Sequence, residues 1–211
     1  MPTKPNSITT RLTRQPRVPK RQLKASMGGG GTVQSRYISY GVSTGSAAQS
    51  TGWVTVAPAL HNTSNDPGAT VIKQYSNYVV RASRIIYTPS VGTTTTGVIF
   101  IAYVDNPEMI RNITGLIYSS SDLVNIAQNM STAKSGPIWQ PLEVAMNRPP
   151  RRKMFTVDSS PPANSEIADR SVQGLWLIVT QNAPFSTVLG YISEEYSAVG
   201  ENLQPAFFTN I

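Results

Sequence analysis

The spacing of apolar and polar positions along this chain predicts strands almost throughout. From residue 36 onward, short runs of alternating or continuously apolar residues recur, each closed by Gly, Pro, Asn or Thr, as strands joined by turns require. Eight such runs are expected as strands: Arg36 to Val42, Trp53 to Leu60, Tyr78 to Thr88, Gly97 to Val104, Ile138 to Met146, Lys153 to Val157, Gly174 to Thr180 and Thr187 to Val199. Val98 to Val104 and Leu175 to Val179 are apolar without interruption, which predicts central strands covered on both faces. Thr187 to Val199 is mixed, so one of its faces should be wet. A single segment switches to helical spacing: Asp122 to Met130 places Leu123, Ile126, Ala127 and Met130 on one stripe, with Ser120 or Ser121 as the cap. It is expected to close one end of a sandwich.

Composition supports an all-β chain and removes most catalytic chemistry. Charged residues are only 14% of the 211, and Gly and Pro together with abundant Ser and Thr disfavour long helices. With no Cys, the chain has no disulfides, thiolate metal sites or cysteine nucleophiles, and His61 is its only histidine. A Ser-His-Asp set can be composed on paper from His61 and Asp66, but closeness in sequence is not geometry. His61 is read instead as an exposed loop residue. Trp53, Trp139 and Trp176 each lie inside an apolar strand pattern, so they are expected to anchor the core or an interface rather than to stack on bases.

Charge changes the picture, because every charged residue before Asp66 is positive. Lys4, Arg11, Arg14, Arg17, Lys20, Arg21, Lys24 and Arg36 give the first 65 residues a charge of +8; the ten later Lys/Arg against eleven Asp/Glu leave −1. The leading stretch carries prolines and few large apolar groups, so it cannot bury enough surface to offset its ordering entropy. The expected organisation is therefore a basic arm over residues 1–35, with a glycine hinge at Gly28 to Gly31, and one domain over 36–211. Gly28 to Gly31 is not a phosphate loop, since Thr32-Val33 follows where Lys-Ser/Thr would be needed. Such an arm binds phosphate backbones by counterion release, strongly, salt-dependently and without a base code. If all eight cations engage, log K should fall with log salt at a slope of about −6 for single strands. Arg148 and Arg151-Arg152-Lys153 form a second basic cluster, which either extends that surface or pairs with acids such as Asp158 or Glu166.

No run reaches the roughly 18 apolar residues of a membrane span, and the amino terminus has no apolar signal stretch, so a membrane partner is not expected. Pro2, Pro5, Pro16 and Pro19 oppose the amphipathic helix of a transit peptide. Strand counting alone leaves a jelly roll, an immunoglobulin-type sandwich and an up-and-down barrel open.

Tyr87-Thr88-Pro89-Ser90-Val91-Gly92 and Thr93 to Thr96, then Gly97, the buried strand and Asp105, resemble the shell domain of tombusvirus and sobemovirus coat proteins. Pro137-Ile138-Trp139, Asp169-Arg170 with Gly174-Leu175-Trp176, and Gly190-Tyr191-Ile192 with Glu195-Tyr196 follow in the same order, so the resemblance spans roughly residues 36 to 200. It implies an eight-stranded jelly roll behind a basic arm that contacts the genome, and a homo-oligomeric icosahedral shell of 60 copies or a multiple of 60. The location implied is the virion, with RNA or single-stranded DNA inside. The few residues after the last strand imply a shell domain without a protruding domain. The resemblance also implies Ca²⁺ between subunits at Asp105 and Glu108, where clustered oxygens suit a hard cation, although the family's fuller run of aspartates is here reduced to one Asp and one Glu. No other cofactor is expected. The alternative is a monomeric nucleic-acid-binding module of ribosomal or OB type, which should carry its cations on the folded face; the body's charge of −1 opposes it.

Overall fold

The structure is a computed structural model that describes residues 30–45, 47, 49–146, 155–157 and 170–204. Two antiparallel sheets face each other. The first has the order β1 (Gly31–Ser43), β9 (Val188–Leu203), β3 (Tyr75–Pro89), β6 (Leu142–Ala145), with β7 (Phe155–Thr156) also on β3. The second has the order β2 (Ser50–Thr55), β8 (Leu175–Gln181), β4 (Val98–Val104), β5 (Lys134–Pro137). β6 pairs with Arg84 to Tyr87 and β7 with Asn77 and Tyr78, so the two lie end to end along one edge of β3. Counting them as one interrupted strand gives eight, in the sheet order of a jelly roll.

β8 and β4 are the two inner strands of their sheet, as their uninterrupted apolar runs require. Trp176 points between the sheets, its Nε1 donating to Ser83 Oγ on β3 at 2.9 Å. Alternation turns Leu175, Leu177 and Val179 to the opposite face, and these are buried too. What covers that face is α3 (Ser120–Asn129), which packs on β8, β2 and β4 together. The helix therefore lies across a sheet rather than closing an end. Its cap is Ser119, one residue before Ser120 and two before Ser121, in a reciprocal capping box with Asp122.

Several boundaries differ from the sequence expectation for local reasons. β1 starts at Gly31, ahead of Arg36, because residues 31 to 35 extend the ladder with β9 from Gly31↔Gly200 to Ser35↔Tyr196. The expected strand Ile138 to Met146 is a turn followed by β6: Pro137 ends β5 in one sheet and Leu142 starts β6 in the other. The expected strand Trp53 to Leu60 stops at Thr55 and becomes a 3-10 turn at Pro58–Leu60. Two helices open at Asx-Pro steps, α1 (Pro67–Ile72) capped by Asp66 and α2 (Pro107–Thr114) capped by Asn106.

β3 loses its regular register between Val80 and Ala82, in the stretch between its pairings with β7 and β6. There the buried Gln173 acts as a partner strand would. Its amide donates to Val80 O and accepts from Val80 N, each at 2.7 Å. At the opposite end of the sandwich, Gly97 sits at φ +128 against Ala183, and a Cβ on Gly190 would come within 2.9 Å of Pro89 Cα.

Candidate functional site

The seven leading cations Lys4, Arg11, Arg14, Arg17, Lys20, Arg21 and Lys24 lie outside the described residues, as do Arg148, Arg151, Arg152 and Lys153. The candidate nucleic-acid interface is therefore described only at its root. Arg36 projects from the outward face of β1, its side chain 66% exposed, with Nε 3.2 Å from Glu195 on β9. Glu195 also binds Arg84 on β3, Nε to Oε2 at 2.6 Å, and Arg84 Nη1 reaches Glu143 on β6 at 2.8 Å. Cross-strand register makes this ladder: Arg36 stands opposite Glu195, and Glu195 opposite Arg84. The two carboxylates hold Arg84 firmly charged. Alternating signs cancel along the ladder, so this face of the first sheet carries little excess positive charge to offer a polyanion.

Asp105 and Glu108 are both exposed at the start of α2. Asn106 between them is committed to the helix, its side chain accepting from the backbone N–H of Glu108 at 2.9 Å and of Met109 at 3.2 Å. Glu108 in the first turn complements the helix dipole. Ca²⁺ takes six to eight oxygens, and among the described residues no group of three His, Cys, Asp or Glu side chains could hold a metal. Among the described residues, these two carboxylates alone do not make a calcium site.

His61 is not an exposed loop residue. It is 8% exposed, under a 3-10 turn and between the sheets. Nδ1 lies 2.7 Å from Asp66 Oδ2, and Nε2 lies 3.0 Å from the Thr55 carbonyl and 3.1 Å from the Tyr37 hydroxyl. No serine stands at Nε2, so the triad composed on paper does not assemble among the described residues. Ser35 donates instead to Asp66 Oδ1 at 2.5 Å. The neighbour that the sequence reading missed is Glu194, fully buried on β9, accepting from Tyr37 on Oε2 and from Ser83 on Oε1, both at 2.8 Å. Its signal was the two-residue period: Ile192, Glu194, Tyr196 and Ala198 share a face of β9, and that face is inward. Trp176 is fully buried as expected, while Trp53 is half-buried against the core.

The fold is a jelly-roll sandwich whose outer sheet face carries an ion-pair ladder and whose interior encloses a small polar cluster around His61. Solved structures of the same fold are virus particles. In the semi-empty virus-like particle of the giant freshwater prawn Macrobrachium rosenbergii nodavirus, a chain matches at 11% identity and TM-score 0.68, covering 94% of this chain and 96% of that one. The mud crab tombus-like virus matches at 12% and 0.67, covering 93% and 94%. Tobacco necrosis virus matches at 14% and 0.68, covering 86% and 100%. No family model and no curated protein matches the sequence. The likeness is one of fold, and it is that of a tombusvirus- and sobemovirus-like shell domain.

Proposed function

We propose that this chain is the coat protein of a small icosahedral virus. Its sandwich assembles with copies of itself into a closed shell of 60 subunits or a multiple of 60, and its cationic leading segment neutralises the genome inside. The role is structural, and the protein's place is the virion. The observation that carries this reading is a jelly roll, shared along almost the whole chain with particle-forming proteins, in a sequence whose positive charge is concentrated ahead of it. A nearly neutral sandwich with a paired outer face can pack against copies of itself. A leading segment with seven cations and no acid cannot be crowded with its copies unless polyanion screens the repulsion. Assembly and packaging are thus coupled.

Lys4, Arg11, Arg14, Arg17, Lys20, Arg21 and Lys24 carry the phosphate contacts in this reading, and Arg36 joins them by exchanging Glu195 for phosphate. Sizing of the purified full chain with nucleic acid tests it. A particle in the megadalton range is expected; a stable 23 kDa species under those conditions would favour the monomeric binding module. Calcium, in this reading, joins Asp105 and Glu108 to oxygens of a second copy. Chelation should then lower particle stability while leaving the monomer's unchanged, and an unchanged particle would remove calcium from the account.

A further inference from the structure

Both ring nitrogens of His61 face acceptors. Thr55 O can only accept, and Asp66 already takes hydrogen bonds from Gly68 N at 3.0 Å, Ser35 Oγ at 2.5 Å and Tyr196 Oη at 2.8 Å, a set that requires an ionised carboxylate. A histidine with N–H on both nitrogens is an imidazolium. The sandwich therefore encloses a cation–carboxylate pair, with Glu194 Oε2 a further 3.8 Å from Nε2.

The groups around this pair come from every element packed on it. β1 supplies Ser35 and Tyr37, β2 the Thr55 carbonyl, β3 Ser83 and β8 Trp176; β9 supplies Glu194 and Tyr196, and the start of α1 supplies Asp66. Lys73 at the end of α1 bonds the His61 carbonyl at 3.1 Å, on the backbone rather than the ring. Tyr103 on β4 feels the charge of Glu194. The distribution over strands is uneven in one respect: β1 has only β9 beside it in its sheet, and the two β1 hydroxyls that make side-chain hydrogen bonds to carboxylates, Ser35 and Tyr37, both end on this cluster. β1 is also the strand that leads directly out of the cationic first 29 residues.

We propose that the His61, Asp66 and Glu194 cluster is an alkali-released clamp on β1, holding the edge strand shut while His61 is charged and loosening it when the imidazolium is lost. Without that proton, two carboxylates remain buried with no cation between them, and a ring that keeps its N–H toward Asp66 turns a bare Nε2 lone pair at the Thr55 carbonyl. The direction of release follows. Burial pulls His61 down, but the Asp66 hydrogen bond, the Glu194 charge and the Thr55 carbonyl outweigh it and raise it above the ordinary 6.5. Burial also raises Glu194, against the pull of His61, Tyr37 and Ser83. Raised groups stabilise fully below their ordinary values and lose that contribution as pH climbs through the folded ones. Asp66 is the opposite: burial pushes it up, the bonds from His61, Ser35 and Tyr196 bring it below normal, and its contribution fails only in strong acid. The clamp is closed in mild acid and opens toward alkali.

A chain with one histidine allows a direct test on the full-length protein. Imidazole NMR follows His61, and hydrogen exchange, corrected for base catalysis, follows the β1 amides from about pH 6 to pH 10. The expected result is a doubly protonated ring that titrates above 6.5. β1 protection should fall through the same midpoint, by about tenfold for each unit that midpoint lies above the ordinary value. In His61→Gln, β1 should be poorly protected already in mild acid, with no step. A ring that titrates at or below 6.5, flat β1 protection, or a step at the same pH in His61→Gln would overturn the proposal. If His61→Gln does not fold, coincidence or divergence of the two wild-type curves decides it.

Discussion

Glu194 shows how much one residue's environment can be read from its neighbours in sequence. Alternation along Ile192, Glu194, Tyr196 and Ala198 puts a carboxylate on an apolar face, so its burial was legible. Its partner was not, because His61 reaches it through a turn whose path depends on Pro58 and the Asp66-Pro67 helix start. Replacing Asp66 by Asn keeps the shape but leaves His61 and Tyr196 without their ionised acceptor. Breaking a buried pair in this way costs about 3 to 5 kcal/mol, read as a lower denaturation midpoint. Wild-type stability should decline as pH rises through the elevated His61 titration, and that slope should shrink in Asp66→Asn, where only Glu194 and the Thr55 carbonyl still raise His61. Tyr40 is a simpler case. Its hydroxyl is buried with no hydrogen-bond partner among the described residues. Tyr40→Phe removes an unpaired polar group and should leave stability unchanged or raise it by about 1 kcal/mol in chemical denaturation.

At the scale of elements, the long runs were legible and the short pieces were not. β3, β4, β8 and β9 are marked by apolar period and Gly or Pro boundaries over seven residues or more, which local chemistry cannot easily disguise. The apolar stretch through Ile138, Trp139 and Leu142 hides a change of sheet, because the turn closed by Gln140 N on Pro137 O has the apolar Ile138 and Trp139 as its central residues. α1 and α2 carried their signal in two residues each, Asp66-Pro67 and Asn106-Pro107, a cap followed by a proline at the first helical position. Gln173 was invisible in sequence, since nothing local shows that β3 needs a side-chain partner at Val80. Gln173→Leu strands both the N–H and the C=O of Val80 and should destabilise by about 2 to 5 kcal/mol. Ser119→Ala removes one half of the α3 capping box and should cost about 1 kcal/mol, both effects measured by equilibrium unfolding.

For the whole molecule, the sequence separates a cationic leading stretch from a nearly neutral body, and the fold is consistent with that separation. The outward face of the first sheet cancels its own charge through Arg36, Glu195, Arg84 and Glu143, while the inner strands β8 and β4 of the second sheet are buried on both faces by the opposing sheet and α3. Binding of the full chain to single-stranded nucleic acid should therefore depend on salt with a slope of about −5 to −6, and removal of residues 1–29 should reduce that slope to near zero. The charge asymmetry between the leading stretch and the body was legible because it is compositional; a contact between copies is not, because no local pattern of residues encodes one. The most direct measurement is the amount of nuclease-protected nucleic acid per purified particle, for the full chain and for the chain lacking residues 1–29. The account predicts filled, closed shells from the first and little or no protected nucleic acid from the second. Equal packaging by the shortened chain would contradict it.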